Sequence, residues 1–125
     1  MSWNIANNGI ITLHAGDYFE APLFLNIGDF RKYELQDGDK VYFGIMEPNQ
    51  PFEWAIVRKV LTKDDVDESG NPVIKLKTKD TIRLMPGLYY YEVKLAMASE
   101  DSDSDDFDEP ILYTVVPKTK LFLLE

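Results

Sequence analysis

His14 is the single histidine of the chain, so any Ser-His-Asp triad would have to be built on it. No G-x-S-x-G turn accompanies it to lift a serine above a sheet. One histidine cannot make a three-histidine zinc site, and H-E-x-x-H does not occur. Cysteine is missing too, which removes thiolate metal sites and disulfides. Neither G-x-G-x-x-G nor G-x-x-x-x-G-K-[ST] is present, so the usual phosphate-cradling loops are lacking. A lone histidine on a strand reads as a structural or surface residue.

Carboxylates are the one abundant reactive type, with 22 acidic side chains in 125 residues. A glycosidase needs two of them facing each other across a cleft. Here they cluster in turn-rich stretches instead. Asp101, Asp103 and Asp105 alternate like the first ligands of a calcium loop, but Asp106 and Leu112 stand where the turn glycine and closing glutamate belong. The competing reading of residues 99–110 is a solvated hairpin tip, extended by its own repulsion. Asp64-Asp65-Val66-Asp67-Glu68 reads as a second such tip. No catalytic, cofactor-binding or metal-binding residue is assigned, and the chain is expected not to be an enzyme.

The formal charge is −9, and Glu100–Glu109 alone holds seven acids and no base. Without it, 15 acids face 13 bases, so the acidity is local. A negative surface repels phosphates and anionic lipid, which argues against nucleic-acid and membrane partners. Met1–Ile5 lacks a basic region leading into an apolar run, so no signal peptide is read there. No run of about 18 apolar residues occurs. Synthesis in the cytoplasm is the expectation.

The elements that must position any site follow a period of two. Leu23, Leu25 and Ile27 alternate with Phe24 and Asn26, and Val41, Phe43 and Ile45 with Tyr42 and Gly44. Trp54, Ile56, Arg58 and Val60 interleave with Glu53, Ala55, Val57 and Lys59. Ile74 and Leu76 alternate with Lys75 and Lys77. Tyr89, Tyr91, Val93, Leu95 and Met97 do so with Tyr90, Glu92, Lys94, Ala96 and Ala98. Successive strand side chains point to opposite faces, so each run has one buried and one wet side.

Turn clusters such as Asn8-Gly9, Ala15-Gly16-Asp17, Asp37-Gly38-Asp39, Pro48-Asn49, Gly70-Asn71-Pro72 and Pro86-Gly87 separate the runs. Strands are placed near 9–14, 18–27, 40–46, 53–61, 72–78, 88–98, 111–116 and 119–124. One short helical turn falls within 78–85, with Thr78 or Asp80 as its cap and Ile82 and Leu84 plugging the end of the core. The expected fold is all-β: residues 1–125 as a single immunoglobulin-like antiparallel sandwich of about 7–9 strands, with 99–110 inserted between late strands.

Tyr42, Tyr90, Phe24 and Phe122 fall out of phase with their core neighbours. If their face is open, an aromatic patch there is a docking surface. If both faces of the inner strands are covered, these rings are simply core.

Gly16-Asp17, then Tyr33 to Phe43, then Lys79-Asp80-Thr81-Ile82-Arg83-Leu84-Met85-Pro86-Gly87 with Tyr89, Tyr91, Val93 and Leu95, and finally Thr114 to Pro117, form an ordered set. This set resembles the immunoglobulin-like N-terminal domain of baseplate upper proteins from phages of Gram-positive bacteria. The likeness runs over nearly the whole chain, and Asp-Thr-x-x-Leu-x-Pro-Gly-x-Tyr-x-Tyr is its most specific part. The resemblance implies a non-catalytic virion component of the tail, baseplate or neck. It also implies partners among other virion proteins and a trimer or hexamer on the particle. Two departures stand out. Family members more often carry a short turn where the acidic segment lies, and the named relatives continue past the equivalent of Glu125 into a receptor-side region. A stand-alone adaptor or decoration is the corresponding expectation. The alternative from another class is a carbohydrate- or host-surface-binding module stacking sugars on exposed aromatics, with calcium held by the Asp segment.

Overall fold

Alternation in the sequence builds two paired inner strands of the main sheet. In the computed structural model, which describes residues 3–5, 8–27, 31–97 and 112–125, these are β6 (Lys40–Met46) and β9 (Gly87–Ala96). They pair antiparallel, with Phe43 opposite Val93 and Ile45 opposite Tyr91. Directly opposed residues share a face, so Val41, Phe43, Ile45, Tyr91, Val93 and Leu95 form one apolar surface.

Around this pair a six-stranded sheet runs in the order β1-β2-β10-β9-β6-β7. The flanking strands are β1 (Trp3–Ile5), β2 (Ile11–His14), β7 (Val57–Leu61) and β10 (Leu112–Leu124). All pairings are antiparallel except β2 with β10, where Ile11 lies beside Leu121 and Leu13 beside Leu123. The sheet curls, and its concave side is the core. Strands β3 (Phe19–Pro22) and β8 (Val73–Leu76) form a separate ribbon, Phe19 opposite Leu76 and Ala21 opposite Ile74, which turns those four side chains into the same core. A second small ribbon joins β4 (Asn26–Ile27) to β5 (Arg31–Lys32). Strand occupies about half of the described residues, so the protein is all-β. No helix among them is long and apolar enough to cross a membrane.

The final run is one strand where the sequence predicts two. Its register against β9 shifts between Thr114 and Val116 and again between Val116 and Thr119. Each shift is a bulge, and Pro117, which has no N–H for the ladder, lies inside the second. Two one-residue shifts cancel in parity, so Tyr113 before them and Leu121 and Leu123 after them all face the concave side. Beginning at 57 rather than 53, β7 is shorter than expected, because Phe52–Trp54 forms a 3-10 turn. The 99–110 insertion lies outside the described residues.

The stretch that carried the family likeness acts as a brace. Helical turn α1 (Thr78–Thr81) has Lys77, not Thr78, at its N-cap, and the Asp80 carboxylate accepts the Lys77 N–H at 2.7 Å. Asp80 also pairs with the Lys59 ammonium of β7 at 2.8 Å, tying α1 to the sheet edge. Fully buried Thr81 accepts the Gly16 N–H on its hydroxyl, 2.9 Å away. The Tyr89 hydroxyl donates to the Met85 carbonyl at 2.7 Å, and that of Tyr91 to the Gly9 carbonyl at 2.5 Å. Leu84 packs against the core as expected, but Ile82 does not. It is exposed, with its Cδ1 over Gly16, whose φ of +87° suits glycine.

Burial alone would push the Asp80 carboxyl up, but the Lys59 and Lys77 hydrogen bonds, with the charges of Lys59 and Lys79, outweigh it and hold the group below its usual value. A lowered folded-state value means that this contribution is full at neutral pH and is lost as pH falls below about 4. Asp80→Ala should therefore cost about 1–2 kcal/mol at pH 7 and much less at pH 3. Urea denaturation of both proteins at the two pH values measures this; an equal loss at both would contradict it.

Candidate functional site

The convex face of the sheet is where chemistry or recognition has to be sought, since the concave face is dry. Its side chains form rows across the strands. Leu112, Ala96 and Lys40 make one row; Thr114, Lys94, Tyr42 and Val60 the next; Glu92, Gly44 and Arg58 the third. Beyond these come Met46, Tyr90 and Lys120, then Leu88, Phe122 and Thr12.

Glycine at position 44 decides how much of this face is covered. A Cβ there would lie 2.9 Å from Phe52 Cε1 and 3.0 Å from the Ala55 Cβ, so the missing side chain is what lets the 47–56 loop lie down on the sheet. Phe52 then presses on the strand, and Ala55 is buried with Met46, which is fully enclosed although it points away from the main core. Arg58 holds the loop from β7: its Nε donates to the Ala55 carbonyl at 3.1 Å and Nη2 to that of Glu53 at 2.5 Å. The Lys94 ammonium lies 5.3 Å from the centre of the Phe52 ring, within cation–π range.

Between this loop and β10 an open groove of about 580 Å³ remains, lined by Tyr42, Phe52, Ala55, Arg58, Val60 and Leu112. Val60 is 52% and Leu112 43% exposed, and Trp54 on the rim is 66% exposed. This apolar surface is open to solvent and is not part of the core.

The four out-of-phase aromatics do not assemble into one patch. Tyr42, Tyr90 and Phe122 share the convex face, but the Gly44–Glu92 row separates Tyr42 from Tyr90. Phe24, 64% exposed, belongs to the chain beyond β3 and lines a different, apolar slot of about 300 Å³ with Ile5, Phe19 and Tyr91. Ring side chains drew attention; the aliphatic pair Val60 and Leu112 and the cations beside it did not. Gly44 was the available signal, because a glycine inside a strand marks close approach by another backbone or side chain.

Other sequence candidates have structural places. The His14 Nδ1–H donates to the Glu125 carbonyl at 2.7 Å. Asp39, 1% exposed, accepts the Gln36 N–H at 2.9 Å and the Tyr33 hydroxyl, closing the Asp37-Gly38-Asp39 turn. In the second acidic tip, Asp67 Oδ1 accepts the N–H groups of Ser69 and Asn71 at 2.9 and 3.0 Å. Asp65 and Thr62 cap each other's backbone around a 3-10 turn. The calcium reading of Asp101, Asp103 and Asp105 concerns residues outside the described set. Among the described residues no three His, Asp or Glu side chains gather as a metal-binding group.

Gly44→Ala should lift Phe52 and Ala55 off the sheet and cost about 1–3 kcal/mol, since a fixed Cβ and a packed ring both stand in the way. Urea denaturation gives the energy, and the emission maximum of Trp54, read in a Trp3→Phe background, should move with the loop. Unchanged stability with unchanged emission would mean that Phe52 does not rest on Gly44.

Comparisons with protein-family models, curated proteins and solved structures found no match.

Proposed function

We propose that this chain is a non-catalytic docking module of a phage or prophage virion, seated in the tail, baseplate or neck. It binds other virion proteins and works as a trimer or hexamer on the particle. In this reading the curled sheet and the β3–β8 ribbon are the two layers of an immunoglobulin-like sandwich. The observation that carries it is the groove on the convex face, where Val60 and Leu112 lie open between the Phe52 loop and β10. A protein gains from such exposure only when another surface covers it. The Asp80-to-Tyr91 stretch supports the same reading, since Asp80, Thr81, Tyr89 and Tyr91 spend their polar atoms on backbone and on Lys59.

Trp54, two-thirds exposed beside that groove, favours a second reading, a carbohydrate-binding surface on which a sugar ring stacks. A glycan array run with and without chelator addresses it: binding lost in Trp54→Ala supports the sugar site, and an empty array removes it.

The docking reading is tested on particles from a lysate of the phage or prophage encoding the chain. After density-gradient purification, the chain should travel with the particle in fixed ratio to the tail proteins. Its recovery only in the soluble fraction would overturn the proposal.

A further inference from the structure

Basic side chains outnumber acidic ones around the groove, on a protein of net charge −9. Arg58 and Lys59 line it together with Glu53, Lys94 lies beside it across from Tyr42, and Lys40 occupies the neighbouring row. Arg58 spends donors on two neutral carbonyls and Lys94 sits against a ring, and neither meets a carboxylate among the described residues. Ion pairs among the described residues are Lys59–Asp80 and Lys63–Asp37; Glu53 and Glu92, the acids on this face, take part in neither. A partner that fits must bring an apolar side chain for the floor and acids on either side of it.

The spacing can be read from the sheet. Lys94 and Arg58 are two strands apart and one row apart, which at strand and residue spacings is about 12 Å between backbone positions. An extended pentapeptide spans about 13 Å from first to last Cα. It can therefore lay its central side chain on Val60 and Tyr42 while its ends meet the two cations. The chain itself contains one sequence of that kind, Asp105-Asp106-Phe107-Asp108-Glu109, an aromatic ring with two acids on each side.

We propose that the convex groove of one copy receives the Asp105–Glu109 segment of a second copy, Phe107 entering between Val60 and Leu112 with its acids against Arg58 and Lys94. This rests on the docking reading and names a partner for its surface. The contact joins two different surfaces, so it is heterologous. Repeated in one sense it closes a ring or extends a row, which an isologous dimer cannot do. Charge complementarity sets its orientation and makes it sensitive to salt.

Sedimentation equilibrium of the full chain tests it with two half-broken variants. Val60→Glu spoils the groove but keeps the segment, and its position is exposed enough to tolerate the change; Leu112→Glu is a second groove variant should the first unfold. Phe107→Ala spoils the segment but keeps the groove. The unmodified chain should gain mass with concentration, less so in 0.5 M salt, and each variant alone should associate at least tenfold more weakly. An equimolar mixture of groove and segment variants should form dimers and nothing larger, because one intact contact remains. A chain that stays monomeric, or a mixture that fails to pair, overturns the proposal. A monomeric chain that still accompanies purified particles sinks this contact and leaves the docking reading standing, whereas a self-associating chain missing from particles does the reverse.

Discussion

The structure depends on keeping one face of a single curled sheet dry. Phe43 and Tyr91, stacked with centroids 5.7 Å apart and planes 26° from parallel, lie on that face on two paired inner strands. The sheet cannot bury this surface against itself, so the β3–β8 ribbon has to cross it with Phe19, Ala21, Ile74 and Leu76. Three polar contacts at the margins help to hold the cover in place. Thr81 fastens the turn before β3, Asp80 ties the turn after β8 to β7, and Tyr91 reaches Gly9 from beneath. Burial pushes the Tyr91 hydroxyl up, which keeps it a donor throughout the neutral range.

Once the concave side is committed in this way, the convex side decides what the protein can meet. Part of it is closed by the protein's own loop, which lies on Gly44 and encloses Met46. Beside that loop an open, largely apolar groove remains, with Arg58 and Lys94 next to it. Carboxylates gather in the turns, as at Asp64–Glu68, while Arg58 and Lys94 lie beside the groove without a carboxylate partner among the described residues. That division is a recipe for oriented contact, because the apolar floor supplies affinity and the charges select the approach.

Strands whose alternation is simple could be read from the sequence, and β6, β8 and β9 lie within one or two residues of where the pattern puts them. Pairing was not legible. Nothing local to Ile11–His14 or Leu121–Leu124 says that these two strands run parallel, since that neighbourhood is set by the closure of the whole sheet. The run from 53 to 61 misled for a different reason. Its apolar residues occupy both phases: pairing with β6 sets Val57 opposite Ile45 and Leu61 opposite Val41 and turns them inward, the Phe52 loop buries Ala55 over Gly44, and Trp54, Ile56 and Val60 stay out. Pro117 looked like a strand break, yet a bulge accommodates it. Of the aromatic rings out of phase with the core, Tyr42, Tyr90 and Phe122 lie on the convex face, but the groove forms only where β6, β7 and β10 are set in register.

The central claim is that recognition is carried by the convex face around Val60 and Leu112, while the concave core is purely structural. Amide hydrogen exchange, comparing the isolated chain with the chain assembled on its particle, tests it most directly. Slower exchange at Arg58–Val60 and Leu112–Thr114, with β2 and β3 unchanged, is the result this account predicts. Unchanged exchange on that face, with new protection confined to β1 or β3, would contradict it.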